Sequence, residues 1–248
     1  MKLLIWIVSL AAIVLALVIA VSGPGTRFGV WDYGFGLGLI RKAALPLMIA
    51  TGLSVVSFVL ALITARQLAP LALIATLMGA GAAFVPIKMK ELAEANPYIH
   101  DITTDFSNPP QIITAADFER ANPAAYVGDE PAPGSELSTA DAQREAFPDI
   151  APIMTTVAPE EAMNLSRDIV EAMSMNILNE ETSETTRIIE AAYKSTWFGF
   201  VDDFVVRISE EGGKTRIDLR SKSRVGTSDL GANAARIRDF ISRFEAAS

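Results

Sequence analysis

The run KTRIDLRSKSRVGTSDLG, Lys214 to Gly231, alternates charged and neutral side chains and then breaks into small polar residues. In a strand, successive side chains point to opposite faces. Arg216, Asp218, Arg220, Lys222 and Arg224 therefore share one face, and Ile217, Leu219, Ser221, Ser223 and Val225 share the other. A strand with one neutral face and one cationic face implies a sheet packed on a core on the first side. The cationic side, with Arg207 from a neighbouring strand, suits a phosphate or lipid headgroup, and a solvated face is the plain alternative. The break at RVGTSDLG leads into a helix amino terminus, where free amides favour an anion. Capping of that helix by Thr227, Ser228 or Asp229 uses the same residues.

Working back from this strand, a compact pattern begins at Ile150. APIMTTVA is a short strand, and PEEAMNLSRDIVEAMSM is a helix with Pro159 in its first turn and Glu160 and Glu161 near its positive end. Ala162, Leu165, Ile169, Val170 and Met173 form its apolar stripe. Strand patterns follow over 175–179, 186–193, 204–209 and 215–225, the last two joined by a hairpin turn at Glu210 to Gly213. The final helix buries Leu230, Ile237, Phe240, Ile241 and Phe244. The order β-α-β-β-β-β-α predicts an α+β domain, an antiparallel sheet of four or five strands with both helices on one face. It resembles the TATA-binding-protein-like and birch-allergen-like folds, whose curved sheets leave a concave surface able to hold an apolar ligand. Within STWFGFVDDFVVRI, the aromatics around Gly199, Trp197 included, suit a bend whose rings cover one end of the core. Asp202 and Asp203 are adjacent in a strand and point apart, which argues against a cooperating carboxylate dyad.

The amino-terminal part differs in kind. The chain has 248 residues, no cysteine and a net charge of -8, and its mean hydropathy of +0.32 comes mostly from the first ninety or so residues. Leu3 to Val21, Ala43 to Ala65 and Leu68 to Ile87 are uncharged apolar runs. The first, as a helix rising about 1.5 Å per residue, matches a bilayer core of about 30 Å. Three transmembrane helices are expected, the last two as a tight hairpin. The first run reads as a retained anchor, with a cleaved signal peptide as the alternative. An inside amino terminus places everything after Lys88 outside the cytoplasm. The basic residues Arg27, Arg41, Lys42, Lys88 and Lys90 then lie outside against Lys2 and Arg66 within, so charge alone favours the reverse. Between membrane and domain, Thr114 to Pro148 is rich in Ala, Pro, Asp and Glu and reads as an irregular acidic connector. The division is thus 1–90 membrane, 91–149 extended motif and connector, and 150–248 α+β domain.

The chain's single histidine lies in NPYIHDITTDFSNPP, Asn96 to Pro110. A histidine-aspartate phosphohydrolase site needs several histidines, and zinc normally needs cysteine or a second histidine. A calcium-like site from Asp101, Asp105, threonine hydroxyls and carbonyls is one reading. A serine-histidine-acid triad is another, though no GxSxG elbow accompanies it. The third is that Asp101, Thr103, Thr104 and Asp105 bond backbone groups in an irregular segment. If HDITTD packs beside SRVGTSDLG, its acids meet Arg220 or Arg224 in a buried polar network.

HDITTDFSNPP, FPDI, TWFGFVDDFVVRI and RIDLRSKSRVGTSDLGANAARIRDF together resemble the domain-of-unknown-function family numbered fourteen ninety-nine, found in bacterial envelope proteins and in plastids. GTRFGVWDYGFGLGLIRKAA resembles its membrane-bound branch. The resemblance implies an extracytoplasmic domain at the bacterial inner membrane, and implies no activity. The leading expectation is a periplasmic domain that binds an envelope component, lipid or protein, without catalysis. Its candidate binding residues are His100, Asp101, Thr103, Thr104, Asp105, Trp197, Asp202, Asp203, Arg220, Ser223, Arg224, Ser228 and Asp229. The alternatives are a hydrolase using His100 with Asp101 or Asp105, with or without a divalent ion, and a structural subunit of a membrane complex. Membrane lipids and other envelope proteins are the expected partners. No cofactor and no nucleic acid are expected, since the charge distribution offers no basic footprint.

Overall fold

Apolar helices that lack a hydrophobic drive toward one another pack through small side chains, and the first unit of the structure does so. The computed structural model describes residues 1–248 and divides into two compact units, Met1–Glu91 with Thr196–Gly199, and Leu92–Ser195 with Phe200–Ser248. Helices α1 (Lys2–Arg27), α2 (Tyr33–Thr64) and α3 (Ala69–Ala95) are each long and apolar enough to cross a membrane. Ala12, Ala50 and Ala75 meet at one level, and Ile5 meets Ala61, Ala65, Ala69 and Ala72 at another. Ser54 Oγ and Thr76 Oγ1 share a hydrogen bond of 2.9 Å between α2 and α3. The large side chains Leu3, Leu4, Leu45, Ile49 and Leu77 face outward, the inverse of a water-soluble bundle, so the protein is membrane-associated.

All three helices outrun the apolar segments that announce them. α1 continues through Ser22-Gly23-Pro24-Gly25. Pro24 lacks the amide that would bond Ala20 O, and the Trp197 indole N–H donates to that oxygen at 3.3 Å. A Cβ on Gly23 would lie 2.7 Å from the same indole. Trp197 thus belongs to the helical unit. The turn after α1 folds Trp31 back so that its Nε1 donates to Ser22 O at 3.1 Å. α2 begins at Tyr33 because the Asp32 carboxylate accepts the Phe35 amide at 2.9 Å, a side-chain cap. α3 runs on past Ile87 with an ion pair between Lys88 and Glu91 at 2.8 Å.

The second unit is an α+β layout. Its elements are β1 (Asp101–Thr103), α4 (Thr139–Ala146), β2 (Ile153–Thr155), α5 (Pro159–Ala172), β3 (Asn176–Thr182), β4 (Thr186–Lys194), β5 (Val201–Glu211), β6 (Lys214–Ser223) and α6 (Ala232–Ala247). They build a 6-stranded sheet of order β1-β6-β5-β4-β3, with β2 also on β6 and every pairing antiparallel. The sheet exceeds the four or five strands expected because two short strands share one edge. Asp101–Thr103 lies opposite Lys222–Arg220, and Ile153–Thr155 opposite Ile217–Thr215. The β5–β6 hairpin turns through Gly212 and Gly213 at φ of 58° and 76°, the left-handed region that glycine adopts freely.

One face of the sheet carries α5 and α6. Ile189, Phe204, Val206, Ile208, Ile217 and Leu219 pack there against Ala162, Met163, Ile169, Val170, Ile237, Phe240 and Phe244. The other face is covered as well. Residues 104–148 are mostly irregular in backbone, as their composition suggests, yet they lie on the sheet, where Ile112 and Ala115 pack on Val205 with Ala124, Leu178 and Ile188. This layer includes a single 3-10 turn at Thr114–Asp117, while Ala142 of α4 and the following Phe147 join the main core cluster with α5 and α6.

Gly231 closes the path from β6 into α6 at φ 84°, and a Cβ there would stand 2.4 Å from Asn96 Oδ1. Gly231→Ala is expected to destabilise the sheet unit by about 1–3 kcal/mol. Thermal unfolding of the variant beside the wild type measures this as a Tm loss of several degrees.

Candidate functional site

Every second residue of β6 points away from the helices, and these are the charged ones. In water that face would need nothing further. Under the 104–148 layer it needs partners, because moving a charge out of water costs several kcal/mol per ion unless it is paired and hydrogen-bonded. Arg220 and Lys222 are wholly buried. Asp101 on β1 answers both: its Oδ1 and Oδ2 accept Arg220 Nε and Nη2 at 2.9 Å each, and Oδ2 accepts Lys222 Nζ at 2.8 Å. Backbone carbonyls of the covering layer take further hydrogens, Pro110 O and Ala124 O from Arg220 and Ala125 O from Lys222. The Asp101 carboxyl is held below the ordinary carboxylate value, Arg220 and Lys222 outweighing the burial that would raise it. Burial pulls the Lys222 ammonium down, and Asp101 opposes that.

The same logic repeats on either side. Asp203 on β5 accepts Arg224 Nε and Nη2 at 2.9 and 2.6 Å and Arg120 Nη1 at 2.9 Å. Arg120 also donates to Ala115 O and Asn122 O, while the Asn122 side chain donates to Ser223 O and Gly226 O. At the far end of the strand, Asp105 accepts Arg207 and Arg216 at 3.1 and 3.2 Å, and Asp218 takes the same two arginines. Asp105 also accepts the amides of Ser107 and Asn108, a local turn. Glu190 on β4, itself buried, accepts the amides of Ile113, Thr114 and Ala115 at 2.9, 3.0 and 3.1 Å. One carboxylate thereby holds the start of the 3-10 turn.

On the helix side, the neutral β6 residues meet a second polar group. Ser221 Oγ donates to Asn233 Oδ1 at 2.6 Å, and Asn233 Nδ2 donates to Ser223 Oγ and His100 O. Arg236 of α6 donates to Ser221 Oγ at 2.9 Å, to Asn233 Oδ1 and to Asp202 Oδ2 at 2.7 Å, with its guanidinium over the Tyr193 ring. Asp202 and Asp203 thus serve opposite faces, as strand geometry requires.

The predicted site residues fall into place as follows. His100 is half-buried before β1, and its carbonyl accepts Ser223 N at 3.0 Å. Burial and nearby Lys222 lower its pKa, so its imidazole is neutral at neutral pH. Thr103 and Thr104 bond backbone: the Thr104 hydroxyl accepts Leu219 N at 2.8 Å, and both hydroxyls donate to Leu219 O. The outer edge of β1 is closed by Gln143, whose amide accepts Thr103 N and donates to Thr103 O at 2.6 Å. Ser228 accepts Leu230 N, and Asp229 accepts Gly231 N and Asn233 N at 2.8 Å each, capping α6. Burial pushes the Asp229 carboxyl up despite those bonds. No three His, Asp or Glu side chains are grouped to hold a metal ion, and Asp101 and Asp105 face separate cations. Trp197 lies in the helical unit.

Sequence reasoning missed Arg120, Asn122, Gln143, Glu190, Asn233 and Arg236. Two carried a signal. Glu190 is a lone acid inside the apolar run RIIEAAY, and Arg236 falls on the buried stripe of α6 beside Ile237 and Phe240. Asn233 sits among Gly and Ala at the start of α6, where a polar residue is ordinary, and the others are polar residues in polar stretches with nothing local to mark them.

Breaking a buried pair by removing one partner leaves an uncompensated charge. Asp101→Asn is expected to cost about 3–5 kcal/mol, read by denaturant unfolding. The pH dependence has a fixed sign. Because the folded pKa of Asp101 is depressed, its stabilisation is full above the ordinary value of 3.8 and is lost as pH falls from there through the folded value. Melts across this acid range are expected to fall steeply for the wild type and less steeply for Asp101→Asn.

The family model described as Protein of unknown function (DUF1499) matches residues 101–244, from the first residue of β1 to Phe244 of α6. No curated protein matches the chain. The matched span begins at Asp101 and takes in Arg220, Lys222, Asp203 and Arg236, so the polar groups on both faces lie within it. By this match over more than half its length, the chain belongs to the DUF1499 family.

Proposed function

We propose that the protein is a three-span protein of the bacterial inner membrane whose extracytoplasmic α+β domain binds an envelope component, lipid or protein, without catalysis. One observation carries the non-catalytic reading: the carboxylates that a hydrolase would pair with His100 are committed to cations and backbone amides of the domain itself. Both oxygens of Asp101 are taken by Arg220 and Lys222, and Asp105 is bound to Arg207, Arg216 and its own turn. A general base needs a free lone pair within reach of a substrate proton. Here those lone pairs stabilise buried cations. The three apolar helices support the membrane anchor, and the family resemblance supports the extracytoplasmic side.

Binding then falls to surfaces the network leaves open. β2 pairs with β6 along one edge only, and beside it lies a cleft of about 260 Å³ lined by Ile153, Met154, Thr155, Ile241 and Glu245 among others. Met154 is nearly half exposed there. An exposed strand edge next to a mostly polar cleft suits an extended polypeptide chain.

The test is in two parts on the full-length protein. A panel of phosphoester and acyl substrates is expected to show no turnover that depends on His100, and turnover abolished by His100→Ala in a folded variant would overturn the non-catalytic reading. Native mass spectrometry of protein purified from its membrane is expected to show a retained component that Met154→Asp releases. A clean apo mass, or a component indifferent to Met154→Asp, would count against binding at this cleft.

A further inference from the structure

We infer that the helical unit carries a site for an anionic phospholipid, with the headgroup on Arg41, Lys42 and Lys88 and the acyl chains along one face of α2. This goes beyond the proposed function and involves none of the residues of the sheet unit.

The argument starts with two cations inside a membrane-crossing helix. Arg41 and Lys42 lie between Ile40 and Ala43 in α2, well after its Asp32 cap, and both are exposed. Charge within a spanning helix is rare because lipid does not solvate it, and such side chains extend their heads to the interface, where anionic headgroups lie. The helix continues below them through Pro46 to Thr64. Leu45, Ile49, Leu53 and Val56 follow Arg41 at helical spacing, and each is half exposed or more. From Leu45 to Val56 the rise is about 16 Å at about 1.5 Å per residue, close to one leaflet of a core about 30 Å thick. A cation above a leaflet-long apolar stripe has the outline of a phospholipid.

α3 brings a third cation to the same level. Gly79 lies against Thr51, Ser54 bonds Thr76, and Ala61 packs with Ala69. In this antiparallel register Lys42 falls opposite Lys88. Lys88 is 42% exposed and pairs only with the more exposed Glu91, a contact of little strength. Just beyond the opposite end of α2, Arg66 in the connecting 3-10 turn donates its Nε to Leu62 O, a carbonyl of the last turn of α2, so the two ends differ in kind as well as in number of cations. Three cations at headgroup depth favour an anionic headgroup over a zwitterionic one.

The experiment uses the full chain in detergent, titrated with dioleoyl phosphatidylglycerol or dioleoyl phosphatidylcholine and read by native mass spectrometry. Phosphatidylglycerol is expected to be retained in preference, and the double variant Arg41→Ala/Lys42→Ala is expected to lower its affinity roughly thirty-fold. Arg66→Ala is the control and should retain the lipid as the wild type does. Equal retention of the two lipids, an unchanged double variant, or an equal loss in Arg66→Ala would overturn the site. Should the double variant misfold, the wild type alone decides. Its retention of phosphatidylglycerol must fall as ammonium acetate is raised, and an affinity independent of salt would overturn the site as well.

Discussion

The sheet unit depends on how charge is neutralised beneath a cover. β6 is an interior strand of the sheet with cations on one face, and Arg220 and Lys222 are wholly out of water. Attraction between charges grows as the surrounding dielectric falls, and so does the cost of leaving one unpaired. Three consequences follow in the chain. β1 must lie on β6 to deliver Asp101, β5 must present Asp203 toward the same side, and the 104–148 layer must lie close enough for its carbonyls at Pro110, Ala124 and Ala125 to take the remaining hydrogens. An irregular backbone suits this last task because its carbonyls are not engaged in a ladder. Glu190 then fixes the layer from the other direction by accepting three of its amides.

This arrangement also engages most of the polar atoms of the membrane-proximal motif. The HDITTD motif looks reactive in isolation, and its polar atoms are nearly all assigned once the sheet is closed. Thr103 and Thr104 bond Leu219, Asp101 bonds two cations, and the His100 carbonyl joins β6 to Asn233. What remains available is surface: the β2 edge with its cleft, and the lipid-facing side of the bundle.

The periodic parts of the structure were legible in the sequence. Alternation in Lys214 to Val225 predicts both faces of β6, the adjacency of Asp202 and Asp203 predicts their divergence, and the apolar stripes of α5 and α6 predict the helix-covered face. A suggested meeting of HDITTD with Arg220 also follows from charge. The unread parts share one cause, which is distance along the chain. Gln143 closes β1 from 40 residues away, and Trp197 serves the carbonyl orphaned by Pro24 across 177 residues. No local pattern encodes such pairs. Composition misleads for 104–148 because alanine, proline and acids give little side-chain core, whereas this layer is held largely by its main chain and by Arg220, Lys222, Asp105 and Glu190. The extra length of α1 and α2 was hidden by Gly and Pro in SGPG and by the charges at Arg41 and Lys42.

The central claim is that buried charge on β6, together with Glu190, fixes the 104–148 layer to the sheet. Amide hydrogen exchange at Ile113, Thr114, Ala115, Ala121 and Asn122 tests it most directly, since each of these amides bonds Glu190 or Arg224 O. The account predicts protection approaching that of the β5 and β6 amides, with loss only in global opening. Exchange at the rate of an unstructured chain, while the sheet stays protected, would contradict it.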